Sequence, residues 1–584
     1  MNQEVPNAAQ MPGAAFPWLA SYPPGVPATV ESPRYELLSE IPAALAARKP
    51  ACVAFTVIMP NGMAADLTFA DVERYSDQFA AFLREKCRLK PGDRVAIQIP
   101  NGLAYPVVAF GVFKAGCVLV NVNPLYTAHE MIHLFKDAEP AAIVTINMFT
   151  DKLAEVLRQT PIPHVILTEA ASLFPLASRC LIGFVQKYIR KEVPPAGFRH
   201  VGFAKALAAG AKSIRAGANV KDYTKGLTSS AIACLQYTGG TTGVSKGAML
   251  THRNLLMNVE QFLRFRGEDM RENDHVLTAL PLYHIFAFTV NFLGFFILGA
   301  HNVLIPNPRP LTNLRKAFEK VPITFIAGVN TLFNGLLNSP WFAKNPPRSL
   351  RISVAGGMAL QSSVAERWQK VTGTPVIEGY GLTEASPVLT CNPTGRNKIG
   401  SIGVPLPSTE IKCVDDHGAG VAIGEPGELV ARGPQVMPGY WKQPAETSNV
   451  LHDGWLSTGD IAKMDADGFF TIVDRRKDMI DVSGFNVYPN EVEEVLASLP
   501  GVRECAVIGV PDPATGEAVK AFIVRNDPAL NAQTVRDFCK SELVGYKVPK
   551  FVEFREDLPK SNIGKILRRA LREKPQANST RSGE

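Results

Sequence analysis

The chain has 584 residues, 46% of them hydrophobic, so it can bury large cores but is too long for one core, and about two to four domains are expected. Its formal net charge of +7 is mild and is not gathered in a Lys/Arg block, which argues against a nucleic-acid-binding protein. The nine cysteines are scattered and form no C-x-x-C pair, which argues against a disulfide framework or a zinc site and favours a reduced, cytoplasmic protein.

The first half of the chain alternates between two kinds of segment. Residues 1–33 are rich in Pro and Ala and hold no Lys or Arg, so we expect a poorly ordered arm and no secretory signal. From there on, helix-like segments such as 71–86 alternate with short apolar runs such as 94–99 and 164–168. This alternation is typical of βα units with buried, largely parallel strands. The sequence therefore predicts an α/β fold built from doubly wound subdomains.

Two apolar segments invite a membrane interpretation. Residues 173–191 mix apolar side chains with Arg and Lys, as an amphipathic surface helix does. We prefer ordinary packing of its apolar face on the domain, with contact to an anionic membrane as the alternative. Residues 285–300 are uncharged, but they are fewer than the ~20 that a membrane-spanning helix needs and include Asn291. A buried core helix is the better interpretation there.

The predicted secondary structure changes in the last third of the chain. From about Gly424 onwards, strand-like pieces are separated by Asp-Gly turns, which predicts a small β-rich subdomain. The charged run 474–478 then precedes a compact remainder with one helix near 490–499 and two strands. The predicted units are a large domain over 34–476, a hinge at Lys477, a small α+β domain over 477–572 and a disordered polar tail over 573–584.

The strongest functional signal is the stretch from Tyr237 to Gly247, which combines glycines, hydroxyls and one lysine. Glycines let successive amide groups turn toward an anion, the hydroxyls add donors, and Lys246 adds positive charge. A Walker A loop would need Ser or Thr directly after the lysine, where this chain has Gly247. The alternative without a binding function is a flexible surface loop. We predict a different polyphosphate loop, whose candidate ligands are Thr238, Gly239, Gly240, Thr241, Thr242, Gly243, Ser245 and Lys246.

A further group of motifs supplies other parts of a nucleotide site. Tyr380 stands between glycines and can stack on a purine, and Glu384 can hold a divalent cation on phosphates. Asp460 is placed like a carboxylate that accepts both hydroxyls of a ribose. Taken alone, His284 would more often be a histidine of the core. Each motif by itself also has an ordinary structural explanation, but six such motifs in this order do not. The motifs are Leu280–Phe286, Ser353–Met358, Glu378–Glu384, Gly454–Asp460, Val473–Asp478 with Ser483–Pro489, and Leu558–Ile566.

Together these motifs resemble the adenylate-forming superfamily of acyl-CoA synthetases, luciferases and peptide-synthetase adenylation domains, over residues 34–572. Within it the chain is most similar to bacterial long-chain fatty-acid–CoA ligases of the FadD type. The stretches that carry this closer resemblance are Val122–Tyr126, Leu280–Phe286, Gly328–Phe333 and Ser483–Asn490.

The resemblance implies a two-step reaction. A fatty carboxylate attacks the α-phosphate of ATP, with Mg²⁺ on the phosphates, and gives an acyl-adenylate and pyrophosphate. The thiol of CoA then displaces AMP from the acyl carbon. Because the groups for the two steps lie on different domains, a hinge motion at Lys477 is expected between them. Relatives are often dimers, and the apolar substrate adds to the case for peripheral contact with the inner face of the membrane.

The resemblance also implies a role for each matching residue. The loop from Thr238 to Lys246 cradles the β- and γ-phosphates. Tyr380, Gly381, Thr383, Gly356 and Gly357 would form the adenine site, Asp460 and Arg475 would hold the ribose, and Thr241 and Glu384 would bind the metal. Lys565 would contact the carboxylate and the α-phosphate, and His284 the acyl group and the thiol. Ser483, Gly484 and Phe485 would line the CoA channel, and Phe288 would gate the acyl tunnel.

Several alternatives stay open at this point. The enzyme could be an acyl-AMP ligase that passes the acyl group to a carrier protein, or its acid could be medium-chain or hydroxylated. A non-catalytic acyl-binding protein is less favoured because Lys565, Glu384 and Asp460 are all present. Peptide-synthetase adenylation would need an acidic residue for a substrate amine, and the stretch after His284 has none.

Overall fold

The structure is a computed structural model that describes residues 16–238, 245–561 and 564–572. Short 3-10 and π turns join several of its helices, among them the π turns Phe82–Lys86, Val185–Ile189 and Ala287–Gly294. The α-helices are α1 Ile41–Arg48, α2 Phe69–Ala81, α3 Ala104–Lys114, α4 Ala128–Ala138, α5 Thr150–Gln159, α6 Leu176–Phe184, α7 Phe203–Arg215, α8 His252–Arg266, α9 Phe295–Leu298, α10 Arg315–Lys320, α11 Asn330–Leu337, α12 Pro340–Ala343, α13 Ser362–Thr372, α14 Pro444–Ser448, α15 Pro489–Ser498, α16 Ala532–Glu542 and α17 Arg568–Arg572.

The strands are β1 Val53–Ile58, β2 Ala64–Thr68, β3 Arg94–Gln98, β4 Val118–Asn121, β5 Ala142–Ile146, β6 His164–Thr168, β7 Val201–Gly202, β8 Ile232–Tyr237, β9 Gly247–Thr251, β10 His275–Thr278, β11 His301–Leu304, β12 Phe325–Gly328, β13 Ile352–Ala355, β14 Val376–Gly381, β15 Val388–Cys391, β16 Val404–Pro405, β17 Glu410–Val414, β18 Gly427–Arg432, β19 Leu451–His452, β20 Trp455–Met464, β21 Phe470–Arg475, β22 Ile480–Val482, β23 Phe485–Val487, β24 Val502–Asp512, β25 Gly516–Arg525 and β26 Phe551–Phe554.

Two mostly parallel sheets build the large domain, as the βα alternation predicts. One has the strand order β16-β15-β14-β13-β12-β10-β11-β1-β2 and the other β7-β6-β5-β3-β4-β8-β9. One continuous hydrophobic core, running from Trp18 to Phe470, packs helices against both sheets. The phosphate-loop, paired-glycine and Tyr380 motifs occur at the carboxyl ends of β8, β13 and β14, the edge where parallel α/β sheets bind ligands.

Local sequence explains why the helices begin where they do. At the start of α2, the Thr68 hydroxyl accepts a hydrogen bond from the Asp71 N–H at 3.1 Å. In return, the Asp71 carboxylate accepts from the Thr68 N–H at 3.2 Å. This capping box satisfies two donors that a helix leaves unpaired, and Thr127 with Glu130 repeats it on α4.

The β-rich subdomain is present, but it begins earlier than predicted. Its sheet contains β17 to β21, so it starts at Glu410 and not near Gly424. The antiparallel pair β20 and β21 places Asp460 opposite Arg475. The run of Asp-Gly turns misses β17 because that strand precedes the first of those turns.

The small domain has its own sheet and its own core. Its strands are ordered β23-β22-β25-β24, with β26 beside β25, and helices α15 and α16 contribute to the core. This core begins at Ile480, whereas the large core ends at Phe470. A boundary at Lys477 therefore falls between the two cores, as two separately packed domains require.

The two apolar segments differ in burial. Residues 287–298 are buried along their length apart from Leu298, as expected for a core helix. Segment 173–191 packs only part of its apolar surface on the domain, since Phe174 and Ile182 are buried in the large core whereas Phe184 is 55% exposed. The exposed apolar residues of this segment are Leu176, Leu181, Phe184, Tyr188 and Ile189. Within the described residues no helix combines the length and apolar character that crossing a membrane requires.

Candidate active site

The predicted phosphate loop is flanked by β8 and β9, which pair in an antiparallel ladder. Tyr237 and Gly247 form the last pair of the ladder. Beyond it, the Thr238 N–H donates to the Lys246 carbonyl at 2.9 Å, and the Ser245 hydroxyl donates to the Thr238 carbonyl at 2.5 Å. The flanks of the loop are therefore held in register. The predicted ligands Gly239, Gly240, Thr241, Thr242 and Gly243 lie outside the described residues.

Lys246 and Glu384 meet at a tyrosine that the sequence analysis does not single out. The Lys246 ammonium pairs with the Glu446 carboxylate and lies 5.2 Å from the centre of the Tyr440 ring. The Tyr440 hydroxyl donates to Glu384 at 2.7 Å. Tyr440 sits here because residues 439–441 pair with β9. No local sequence pattern predicts this contact, because it depends on the pairing of segments about 190 residues apart in the chain.

Tyr380, Asp460 and Arg475 form one group, joined by a hydrogen bond and an ion pair. The Tyr380 hydroxyl donates to the Asp460 carboxylate at 2.5 Å, and the Arg475 guanidinium lies 3.4 Å from its other oxygen. Each of the three comes from a different strand, β14, β20 and β21 respectively. The predicted adenine and ribose residues are thus adjacent. Asp460 is oriented by the Tyr380 hydroxyl on one oxygen and by the Arg475 charge near the other.

The glycines of the predicted adenine site allow close backbone approach. A Cβ on Gly356 would lie 3.2 Å from the Phe286 ring, which joins this turn to the His284 segment. A Cβ on Gly381 would lie 2.0 Å from the Pro387 carbonyl, so only glycine fits there. Thr383 opens the 3-10 turn that also carries Glu384.

Lys565 reaches this group from the small domain. The Gly564 carbonyl accepts from the Thr331 hydroxyl on α11 at 2.9 Å, which docks the lysine loop on the large domain. The pKa of Lys565 is lowered to about 7, first by burial and then by the Arg475 charge, while the Asp460 carboxylate opposes the shift. The ammonium therefore lies near Asp460 and Arg475, the residues predicted to hold the ribose. Thr331 was missed because its contact spans 233 residues.

His284 lies beside the same lysine. Burial, and after it the Lys565 charge, lowers the pKa of His284 to about 4. The imidazole is therefore neutral near pH 7. Its Nδ1 accepts from the Phe286 N–H at 3.4 Å, which orients the ring. A neutral imidazole held next to a cation can accept a hydrogen bond or a proton from a bound group.

The residues predicted to line the CoA channel and to gate the acyl tunnel lie apart from the group around Asp460. Ser483 and Gly484 form the turn between β22 and β23 with φ of 56° and 82°, and Phe485 stacks on Tyr546 with ring centres 4.7 Å apart. Phe288 is fully buried and packs edge-on to Phe113 in the core. The turn predicted to line a CoA channel thus belongs to the sheet of the small domain, and Phe288 belongs to the core of the large domain.

The buried carboxyl of Glu378 is another residue that the sequence analysis did not assign. It accepts from the Leu360 N–H at 3.0 Å, behind the paired-glycine turn. Burial raises the pKa of Glu378 to about 8, so this group is largely protonated near pH 7. The motif includes the residue, but its ionisation depends on the surrounding fold.

The lowered pKa of Lys565 predicts a pH dependence. The ammonium is present below pH 7 and is lost above it, so kcat/KM for ATP, which reports the free enzyme, should fall about tenfold per pH unit above pH 7. The kcat profile should extend to higher pH, because bound anions stabilise the ammonium. Arg stays charged throughout, so Lys565→Arg should abolish the fall whatever its absolute rate. The same alkaline fall in Lys565→Arg would contradict the assignment.

Comparison with known families agrees with this geometry. Residues 43–441 match the model of the AMP-binding enzyme family, and residues 491–565 match that of the AMP-binding enzyme C-terminal domain. The chain is 49% identical to the long-chain-fatty-acid–CoA ligase of Escherichia coli O157:H7, over 95% of this chain and 98% of that protein. It is 38% identical to the ligase of the same name from Bacillus subtilis, over 96% and 98%.

Solved structures show the same fold. The anthranilate CoA ligase AuaEII in complex with anthranoyl-AMP matches with a TM-score of 0.82 at 25% identity, over 92% of this chain and 97% of that one. ATP-bound MatB from Rhodopseudomonas palustris matches with a TM-score of 0.77 at 28% identity, over 91% and 98%. The expected fold class and resemblance are confirmed, and the chain belongs to the family of AMP-binding, adenylate-forming enzymes.

Proposed function

We propose that the protein is a long-chain fatty-acid–CoA ligase that forms AMP. The observation that carries this proposal is the position of Lys565, which the small domain places beside Asp460, Arg475 and His284 of the large domain. That convergence suits activation of a carboxylate by a nucleotide. The long acyl chain is inferred from the names of relatives that are 38–49% identical over nearly the whole chain.

In the first half-reaction, a carboxylate oxygen attacks the α-phosphorus of ATP. The bond to the β-phosphate breaks and pyrophosphate leaves, which gives an acyl-adenylate. Lys565 stabilises the charge that gathers on the carboxylate and the α-phosphate. Asp460 and Arg475 hold the ribose, Tyr380 borders the adenine, and Lys246 with the rest of its loop binds the outer phosphates.

Mg²⁺ suits the residues that face the outer phosphates. Glu384 offers a carboxylate oxygen, and Mg²⁺ on nucleotides is commonly held by one or two carboxylates together with the phosphates themselves. Thr241 is the second proposed ligand and lies outside the described residues. When bound, Mg²⁺ neutralises charge on the phosphates. Tyr440 holds Glu384 in place for this role.

In the second half-reaction, the CoA sulfur attacks the acyl carbon, and the bond to AMP breaks. The small domain, residues 477–572, turns about Lys477 and brings Ser483, Gly484 and Phe485 to the adenylate. The neutral His284 accepts the thiol proton or orients the sulfur. Withdrawal of Lys565 in the same motion makes room for the pantetheine arm.

The acyl chain would enter the apolar region that follows His284. Residues 287–298 are almost entirely buried and contain no charged side chain, which suits an alkyl chain. Phe288 lies in this region and could gate a tunnel only by moving away from Phe113 and Phe292.

The test is product formation from ATP, Mg²⁺ and a panel of acids from hexanoate to oleate, with and without CoA. We expect CoA-dependent AMP and acyl-CoA that increase toward the longer acids. A maximum at medium-chain acids would revise the acyl length. Pyrophosphate release without any thioester would replace the proposal with an acyl-AMP ligase, and no turnover of any acid would overturn it.

We also propose that residues 176–191 bind an anionic membrane surface. Exposed apolar side chains on α6 and the turn after it lie beside the exposed Lys187, Arg190 and Lys191. This combination buries apolar area at a bilayer surface and attracts anionic headgroups. The protein is then cytoplasmic, on the inner face of the membrane. A homodimer stays a prediction that sedimentation can test.

Vesicle flotation tests the membrane surface. Phe184→Asp should reduce binding to vesicles with anionic lipid at least severalfold, because it places a charge in the apolar face. Ile423→Asp is the matched control, since Ile423 is 58% exposed on another part of the large domain. Wild-type protein that fails to float, or equal losses in both variants, would contradict this surface.

A further inference from the structure

The guanidinium of Arg568 is the centre of a buried ionic cluster close to Lys565. Arg568 begins α17, three residues after that lysine. It donates to both oxygens of Glu493, at 2.8 and 3.1 Å, and to the Asn490 side-chain oxygen at 2.6 Å. It also lies 3.1 Å from Asp474 and 3.6 Å from Asp478. The cluster therefore gathers three carboxylates around one cation.

Asp474 differs from the other members in its place in the chain. It lies on β21, where it pairs with Ile461 of the large-domain sheet. Its side chain is fully buried, and its second oxygen accepts from the Asn490 N–H at 2.8 Å. Both contacts that it makes with Arg568 and Asn490 thus join the large domain to the small one.

The remaining members follow the proposed hinge. Glu493 and Asn490 lie on α15, and Asp478 comes directly after Lys477. Asp478 also pairs with Arg572 of α17 at 3.0 Å. A rotation about Lys477 would carry these groups together with Arg568. It would separate Arg568 only from Asp474.

We propose that Asp474 is a positioning residue for the first half-reaction alone: it holds Arg568, and with it the Lys565 loop, in the docked arrangement, and releases both for the second half-reaction. This proposal rests on the proposed function and its hinge. A buried, charge-assisted contact that only one domain arrangement satisfies favours that arrangement over the other.

Other contacts in the same interface support this role. The Thr331 hydroxyl donates to the Gly564 carbonyl, and the Ser362 N–H donates to Glu494 at 3.1 Å, at the start of α13. Both bonds join the small domain to helices of the large domain, α11 and the start of α13. Asp474 adds a charged contact close in sequence to the proposed hinge at Lys477.

The test compares Asp474→Asn with Asp478→Asn in separate assays of the two half-reactions. Both variants remove one carboxylate from Arg568 without changing volume, but only Asp474 lies before the hinge. Adenylation is measured as pyrophosphate release from ATP and a fatty acid without CoA. Thioester formation is measured from synthetic acyl-adenylate and CoA. Wild-type protein in both assays tests the proposed function independently.

We expect Asp474→Asn to lower adenylation about ten- to a hundredfold, the effect of losing a charge-assisted hydrogen bond, while thioester formation is unchanged or faster. Asp478→Asn should leave the ratio of the two rates unaltered. Equal losses in both half-reactions, no loss in either, or the same split in Asp478→Asn would overturn the proposal. If Asp474→Asn fails to fold, Asp474→Glu is assayed in its place. The proposal then requires that adenylation falls more than thioester formation, by a smaller factor than expected for Asp474→Asn.

Discussion

Replacement of Lys565 by Ala should lower the rate of acyl-adenylate formation about 10²- to 10³-fold, the usual effect of removing one donor aimed at transition-state charge. The ammonium lies beside Asp460 and Arg475, where the α-phosphate would be bound. Thioester formation from preformed acyl-adenylate should stay within a few-fold of wild type, because the lysine is withdrawn in that step. Single-turnover assays of the two half-reactions measure both rates.

Lys560→Ala provides the control for this variant. Lys560 is in the same loop, but its ammonium pairs with Glu504 at 2.7 Å and with Asp557 at 2.5 Å. It should leave both half-reactions nearly unchanged. ATP affinity of Lys565→Ala, measured by calorimetry with a non-hydrolysable analogue, should change little. Equal losses in the two half-reactions would show that Lys565 supports the fold and not one chemical step.

Gly381→Ala should destabilise the nucleotide site and lower ATP affinity at least tenfold. The new Cβ would lie 2.0 Å from the Pro387 carbonyl oxygen and 2.7 Å from its carbon, so β14 and β15 must separate. Overpacking of this kind costs about 1–3 kcal/mol of stability, and the displaced backbone carries Thr383 and Glu384. Thermal unfolding and ATP titration measure the two effects.

Gly379→Ala is the matched control on the same strand. Its Cβ would lie 3.2 Å from the Thr390 carbonyl oxygen, which requires a shift of only a few tenths of an ångström. We therefore expect a small loss of stability and nearly normal ATP affinity. If the two alanines behave alike, the close approach of Pro387 to Gly381 is not what shapes the site.

The cluster at Arg568 and the group at Lys565 together suggest how the enzyme couples its two steps. Lys565 acts on the reacting groups, whereas Asp474 controls when the lysine is present. A contact near the hinge can bias the domain arrangement only by as much as it differs between the two arrangements. The half-reaction ratio of Asp474→Asn therefore measures that bias directly.

Local sequence was enough to predict the parts that depend on a few consecutive residues. The βα alternation predicts the two sheets that the structure shows. The phosphate loop around Lys246 stays a prediction, based on glycines and donors that stand close together in the chain. The uncharged run at 285–300 predicts burial for the same local reason. The start of the β-rich subdomain was misplaced, since β17 carries no turn signal of its own.

Contacts between distant segments could not be predicted in this way. Tyr440 joins Glu384 across 56 residues, and Arg568 joins Asp474 across 94. Such pairs depend on strand register and domain docking, which no single segment encodes. The pKa of Lys565 follows from the same docking, because burial arises only where the small domain meets the large one.

By itself, the sequence determined the fold class, the order of the motifs and the chemistry that their residue types can perform. Only the tertiary structure decided that the amphipathic segment at 176–191 leaves most of its large apolar side chains exposed and that Lys565 meets Asp460. It also decided that, among the described partners of Arg568, Asp474 precedes the hinge. The physical reason is that periodicity tells which residues share a face, whereas the packing of remote segments determines what that face contacts.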